Sequence, residues 1–150
     1  VCLSDFMATI ADLLDIPLPD TMGEDSVSNL PLWRNPEGAD VREDLVHQSI
    51  DGSLALRRGK WKLAMCPGSG GWSFPRKGID DLSHLPSFQL YDMEADISET
   101  HNVYSQYPHV FAEMKDILAG YIRHGRSTPG TPQENEGIPI WEAIQWFHGL

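Results

Sequence analysis

The residues best suited to chemistry lie in the stretch 45–77 of this 150-residue chain. Six of its 11 lysines and arginines fall there: Arg57, Arg58, Lys60, Lys62, Arg76 and Lys77. Since the whole chain has a net charge of −11, this stretch predicts a locally basic site on an acidic protein. Such a site suits a small anionic ligand, and the acidic balance argues against general nucleic-acid binding. The alternative is a solvated strand face with a few surface ion pairs.

A glycine-rich turn, Gly68-Ser69-Gly70-Gly71, follows within the same stretch. It lacks the spacing and the Lys-Ser/Thr pair of a nucleotide-binding P-loop. Its backbone N–H groups remain able to surround an anion, while the alternative is a flexible surface loop. The neighbouring Trp72 and Phe74 indicate partial burial or stacking against a ring.

No complete catalytic set is present among these residues. His47 lies centrally in a predicted strand, where a histidine is either a structural side chain or a substrate contact. The other histidines lack the spacing of metal ligands, and no serine or cysteine sits in a nucleophile-elbow context. Cys2 and Cys66 form neither a disulfide framework nor a metal motif. We therefore predict no catalytic residue and no metal ligand, and at most one wall of a site.

A hairpin is predicted to carry the basic residues. Two alternating runs, Ser53–Arg57 and Lys60–Met65, flank the dipeptide Arg58-Gly59, which is typical of a two-residue turn. Such a turn predicts three cross-strand pairs: Arg57 with Lys60, Leu56 with Trp61, and Leu54 with Leu63. Because side chains alternate along a strand, one face is apolar and the other carries Arg57, Lys60 and Lys62.

The remaining pattern predicts two more strands and two helices. The strands are Leu45–Ile50 and Phe88–Met93. The first helix starts at a Ser4 cap and runs to about Asp15, with an apolar stripe. That stripe consists of Phe6, Ile10, Leu13 and Leu14. The second helix has Pro108 in its first turn and Gly125 as its C-cap. No apolar run approaches the ~18 residues of a membrane span.

Taken in order, these pieces resemble the C-terminal part of a sulfatase of the arylsulfatase type. Asp5, Thr9 and Ile16 fit the family's "D-x-x-P-T-x-x-x-x-x-G-I" stretch. Four further segments resemble family motifs: Gly23–Ser26 with Leu30–Leu32, Ala55–Leu63 ("A-x-R-x-G-x-W-K-L"), Leu90–Met93 with Asp96, Glu99 and Asn102 ("L-Y-D-L-x-x-D-P-x-E-x-x-N"), and Gly125–Gly130. Three positions depart from the pattern: Ala8 and Ile97 replace prolines, and Asp15 replaces a glycine.

The resemblance implies an α+β fold, in which a small antiparallel sheet of about four strands packs with a long C-terminal helix. A preceding helix would belong to the end of a larger α/β domain. The implied division is residues 1–40 for that end and its connection, 41–126 for the C-terminal subdomain, and 127–150 for a tail that docks on the body.

The resemblance also implies a sulfuric ester hydrolase whose centre lies elsewhere. The family uses a formylglycine nucleophile, made from a "C/S-x-P/A-x-R" motif, beside a calcium ion. Neither Cys66-Pro67-Gly68 nor Cys2-Leu3-Ser4 fits that motif. We therefore expect no cofactor in this stretch, calcium and formylglycine in the intact enzyme, and no activity from this chain alone. The implied location is periplasmic or secreted.

Within such an enzyme this chain would form a wall of the substrate site. The implied partners are a sulfate ester, either an aryl sulfate or a sulfated sugar, and the upstream catalytic domain, with no nucleic acid and no membrane. A sulfate ester needs cations, N–H donors and an aromatic surface. The predicted substrate contacts are His47, Arg57, Lys60, Ser69, Trp72 and Arg76. The alternative function is a non-catalytic binding module for sulfated glycans or other anions.

Overall fold

The computed structural model describes residues 2–137 and 141–148, and the predicted tail 127–150 therefore lies partly outside the described residues. Its contacts divide the chain into two compact units. The N-terminal unit comprises Val1–Leu45 with Gly120–Asn135, and the sheet unit comprises Val46–Ala119 with Glu136–Leu150. None of the helices formed by the described residues is long and apolar enough to cross a membrane.

Four strands form one antiparallel sheet in the order β1-β2-β3-β4, which confirms the predicted α+β class. The strands are β1 (Asp44–Gln48), β2 (Leu54–Arg58), β3 (Trp61–Ala64) and β4 (Gln89–Asp92). The helices are α1 (Phe6–Leu13), α2 (Leu30–Arg34), α3 (Pro108–His124) and α4 (Gln145–His148). Helix α3 starts and ends as predicted, since Gly125 follows it with a φ of 62°.

The predicted hairpin register is wrong, because the two-residue turn lies one residue later in the chain than predicted. Arg58 pairs with Trp61 and Leu56 with Leu63, so Gly59 and Lys60 form the turn instead of Arg58 and Gly59. Gly59 still supplies the positive φ, at 52°. The cross-strand partner of each β2 residue is therefore shifted by two residues along β3. A shift of two leaves every side chain on the sheet face that was predicted for it. Leu56 and Leu63 share the apolar face, and Lys62 lies on the opposite one.

The core of the sheet unit is built from that apolar face. Leu56, Leu63 and Leu90 have no exposed surface, and Met114 and Leu118, one turn apart on α3, are equally buried. Burying a side chain of this size stabilises a fold by about 1.5–3 kcal/mol. Such a core fixes the strands, and the strands in turn fix which residues occupy the opposite sheet face.

The N-terminal helix differs from its prediction at its start. A 3-10 turn covers Leu3–Asp5, so Ser4 lies inside it and is not the N-cap. Asp5 is instead the organising residue, with 1% of its surface exposed. Its carboxylate accepts the N–H groups of Cys2 and Val27, at 3.3 and 3.1 Å, and pairs with Arg42 at 2.5 Å. A buried carboxylate with these partners holds the start of α1 in place.

The apolar stripe of α1 is exposed, whereas Thr9 and Ala11 on its other side are buried. Phe6, Ile10 and Leu13 are each more than 40% exposed. On the buried side, Thr9 donates its hydroxyl to the Asp5 carbonyl and accepts the N–H of Asn29. The helix is therefore anchored to its own unit by hydrogen bonds.

Candidate functional site

A cleft of about 800 Å³ covers the sheet face opposite the leucine core. Lys62, Gln89 and Tyr91 alternate along β3 and β4 with the buried leucines, so their side chains lie on this face. His47 on β1 and the loop after β3 complete the wall. All the lining residues belong to the sheet unit.

An ion pair crosses the cleft floor. The Lys62 ammonium contacts both carboxylate oxygens of Glu99, at 2.6 and 2.7 Å. The backbone of Glu99 has a φ of 56°, a left-handed conformation that is rare for residues other than glycine. Asn102, which also lines the cleft, accepts the N–H groups of Leu90 and Tyr104 at 3.0 Å each. The segment that carries Glu99 is therefore tied to β4, where it can face Lys62.

A second polar chain links the floor to the glycine loop. The Tyr91 hydroxyl donates to the side-chain oxygen of Gln89 at 2.6 Å. The Gln89 amide nitrogen in turn donates to the carbonyls of Cys66 and Gly68, at 2.8 and 2.7 Å. Burial, with nearby Glu99 contributing less, raises the pKa of Tyr91, so its phenol stays a neutral donor.

The glycine loop is compact because its glycines allow close approach. A Cβ at Gly68, whose φ is 67°, would lie 2.6 Å from the Pro75 carbonyl oxygen. The Ser69 N–H donates to that same carbonyl at 2.9 Å, and the Ser69 hydroxyl donates to Ser73 at 2.6 Å. At Gly70 a Cβ would lie 3.0 Å from the Cys66 sulfur. The loop thus folds back on itself and onto the sheet.

The structure brings together only part of the predicted site. His47 and Ser69 line the cleft, and Trp72 lies in the adjoining loop with 73% of its surface exposed. Arg57 donates to the Gly59 carbonyl at the hairpin turn, 2.8 Å away, and is not among the cleft residues. Lys60 also lies at the turn, and Arg76 lies beyond the lining. The roles of all six residues stay predictions.

Sequence reasoning missed the polar floor of the cleft. Lys62 stood on the predicted basic face but was not chosen as a site residue, and Glu99 belonged to a quoted motif without a role. Alternation along β4 could have placed Gln89 and Tyr91 beside Lys62, because β3 and β4 are neighbours. Which loop carboxylate reaches Lys62 was not readable from spacing.

The basic cluster consists of the six cations between residues 57 and 77, and its three lysines pair with carboxylates. Lys60 pairs with Asp92 at 2.5 Å, and Lys77 pairs with Glu142 at 2.5 Å. Together with the pair on the cleft floor, these contacts occupy all three lysines of the cluster. The hydrogen bond that the Lys60 ammonium donates to Asp92 lowers the pKa of Asp92 and raises the pKa of Lys60. Within the cleft, the pair between Lys62 and Glu99 balances one positive charge with one negative charge.

The donor set of the described residues does not fit calcium. Residues 2–137 and 141–148 contain no group of three or more His, Cys, Asp or Glu side chains arranged to hold a metal ion. A calcium ion needs six to eight oxygen ligands, many of them carboxylates.

Comparison with known proteins relates the chain to sulfatases. No family model matches it. It is 33% identical, over 117 residues, to the N-acetylgalactosamine-6-O-sulfatase of Bacteroides thetaiotaomicron, a match covering 76% of this chain and 22% of the relative. A solved structure connected with the metabolism of multiple glycosaminoglycans by the same bacterium has a TM-score of 0.59 and 30% identity, covering 77% of this chain and 24% of that one.

A second solved structure shows the same fold at lower identity. That protein was solved in complex with its substrate, D-glucosamine-2-N,6-O-disulfate, and has a TM-score of 0.51 at 21% identity. The match covers 77% of this chain and 22% of that one. The chain thus spans about a fifth to a quarter of the length of the proteins it matches.

The antiparallel sheet with its long helix gives the chain an α+β fold that corresponds to a small part of the larger proteins it matches. The chain belongs to the sulfatase family, of which it represents a C-terminal portion.

Proposed function

We propose that this chain forms the substrate-binding wall of a sulfatase that hydrolyses the sulfate ester of a sugar. The observation that carries the proposal is the 33% identity to an N-acetylgalactosamine-6-O-sulfatase over 117 residues. A sugar sulfate is preferred to an aryl sulfate because that relative acts, by its name, on an amino sugar. The cleft over the sheet supports a binding role, since it gathers hydroxyl, amide and charged groups in one concave surface.

The catalytic group would come from elsewhere in the intact protein. Neither Cys2 nor Cys66 lies in a "C/S-x-P/A-x-R" motif, and Ser53–Arg57, which matches its letters, has a buried Ser53 and runs along strand β2. The formylglycine, which supplies the nucleophile, and the calcium ion are therefore proposed to lie upstream. The residues of this chain would bind and orient the sugar. The intact protein would be periplasmic or secreted, as the family resemblance implies.

The exposed apolar stripe of α1 favours the interpretation that the chain is part of a larger protein over the interpretation that it is an autonomous binding module. A module that functions alone would bury Phe6, Ile10 and Leu13, but each is more than 40% exposed. Large contiguous apolar surface usually marks a contact with another protein surface. We propose the upstream catalytic domain of the same protein as its partner.

The direct test compares the intact protein with the 150-residue chain in an assay of sulfate release from N-acetylgalactosamine 6-sulfate. The intact protein should release sulfate, and the chain alone should not. If the intact protein releases no sulfate from sulfated sugars yet binds them, the non-catalytic binding module replaces the enzyme. Release by the chain alone would overturn the assignment of the nucleophile to the upstream part.

His47 gives a residue-level test, since it lies in the cleft and is proposed to contact the leaving side of the substrate. In the intact enzyme, His47→Ala should raise KM or lower kcat by more than about twofold. His101→Ala is the matched control, because the His101 side chain is 82% exposed and lies outside the cleft. Kinetics of His47→Ala within about twofold of the parent would return His47 to a structural role.

A further inference from the structure

We infer that Trp72 and Phe74 form an aromatic platform that stacks against a pyranose ring of the substrate. This inference rests on the proposed function and names the part of the substrate that the glycine loop would contact. Both side chains are large, apolar and more than 70% exposed. Phe74 lines the cleft, and Trp72 stands two residues before it on the same loop.

The loop that carries the aromatic platform is fixed at both ends. The Ser69 N–H and the Pro75 carbonyl close it with a 2.9 Å hydrogen bond, and the Ser69 hydroxyl ties Ser73 at 2.6 Å. Gln89 holds the Gly68 carbonyl from the sheet at 2.7 Å. The two exposed rings are therefore carried by a loop whose backbone is held by specific hydrogen bonds. A loop fixed in this way loses little backbone freedom when a ligand binds.

The chemistry around the platform favours the hydroxyl groups of a sugar over a free anion. Serine hydroxyls at positions 49, 53, 69 and 73 line the same cleft. The lysine on the floor, Lys62, is already paired with both oxygens of Glu99. A sugar ring presents C–H groups on its face and hydroxyls at its edge, which matches an aromatic surface bordered by polar groups. Because Lys62 is already paired with Glu99, the aromatic platform would contact the sugar ring of the substrate, and the sulfate group would bind elsewhere.

The experiment uses the intact protein and the variants Trp72→Ala and Phe74→Ala, with Ile97→Ala as the control. Ile97 is 81% exposed in the sheet unit and lies outside the cleft. Three quantities are measured: KM for N-acetylgalactosamine 6-sulfate, inhibition by inorganic sulfate, and melting temperature. Binding of unsulfated N-acetylgalactosamine, followed by saturation-transfer NMR, supplies a readout that does not need turnover.

Each platform variant should raise KM by roughly five- to tenfold, the size expected for one stacking contact. Inhibition by sulfate and the melting temperature should stay unchanged, and saturation transfer to N-acetylgalactosamine should fall. Ile97→Ala should match the parent in every measurement.

The possible failures are distinguishable. If sulfate esters are hydrolysed but KM of both platform variants stays within about twofold of the parent, the platform is wrong and the sulfatase function stands. If the parent hydrolyses no sulfate ester but binds N-acetylgalactosamine through Trp72, the platform stands and the sulfatase function falls. A marked loss of melting temperature in the platform variants would show that the rings are buried against another part of the protein, and would overturn the inference.

Discussion

Helix α1 and the sheet bury different kinds of side chain. Helix α1 buries Thr9, next to the buried Asp5, and exposes Phe6, Ile10 and Leu13. The sheet follows the ordinary rule, because it buries leucines on one face and lines a polar cleft with the other. Both elements are amphipathic in sequence, yet only the sheet covers its own apolar side.

The difference shows that the two regions are held by different forces. Apolar burial with α3 residues stabilises the sheet unit, whereas hydrogen bonds and an ion pair to buried polar groups hold the start of α1. An apolar stripe without cover is expected of a surface that meets another part of a larger protein. Substitutions on the two elements should therefore change stability by different amounts.

The largest effect is expected from the sheet core. Leu63→Ala should lower the free energy of unfolding of the 150-residue chain by about 3 kcal/mol, because it leaves a cavity at a site with no exposed surface. Leu13→Ala, at a site 51% exposed, should cost less than about 1 kcal/mol in the same chain. Urea denaturation measures both. Equal losses would break the comparison by showing that the stripe of α1 is covered within this chain.

A loss of similar size should follow from removing the buried carboxylate. Asp5→Ala strips Arg42 and the Val27 N–H of their partner, and should cost about 3 kcal/mol, with 2 kcal/mol as a lower bound. The control is Asp12→Ala on the same helix, because its contact with the Ser28 hydroxyl is exposed and should be worth under about 1 kcal/mol. Amide exchange at Val27 provides a local readout. Similar costs for the two variants would contradict the anchoring role of Asp5.

A gain in stability is expected where α1 ends. Asp15 has a φ of 56°, and it stands where the family pattern has glycine. Asp15→Gly should raise stability by about 0.5–1 kcal/mol, because glycine adopts this conformation without steric cost. Ala8→Gly, within the helix, should lower stability by about 1 kcal/mol. A loss for Asp15→Gly, measured by thermal unfolding, would show that the aspartate side chain itself is needed there.

The smallest effect concerns pH. The Lys60 hydrogen bond lowers the pKa of Asp92 in the folded state, so its contribution is present above the unfolded carboxyl pKa of about 3.9 and is lost as pH falls through the folded pKa. Asp92→Asn keeps the side-chain oxygen that accepts the Glu94 N–H but removes the charge. The parent should melt slightly higher than the variant at neutral pH, and this gap should close in acid. A gap that persists in acid would assign the effect to lost geometry.

The sequence predicted the four strands and helices α1 and α3 in order, because its periodicity records which side of each element is apolar. The short helices α2 and α4 were not predicted, since they lie in stretches interpreted as a connection and a tail. Helix α3 was placed between Pro108 and Gly125, since a proline and a glycine mark the ends of a helix by backbone conformation alone. The hairpin faces were also correct, but the register was not. Both Arg58-Gly59 and Gly59-Lys60 place a glycine in the turn, and a shift of two residues preserves every face, so alternation could not choose between them.

By itself, the sequence determined the amphipathic elements and the local concentration of basic residues, because these depend on residue type and spacing along the chain. Its ordered motifs also indicated the sulfatase family by resemblance. Tertiary structure alone decided which lysine meets which carboxylate, as in the pair between Lys62 and Glu99, 37 residues apart. It also decided that His47 and Ser69 share a cleft while Arg57 does not. Such contacts join distant segments across a folded sheet, and a pattern read along one strand or helix carries no information about the segment that will fold against it.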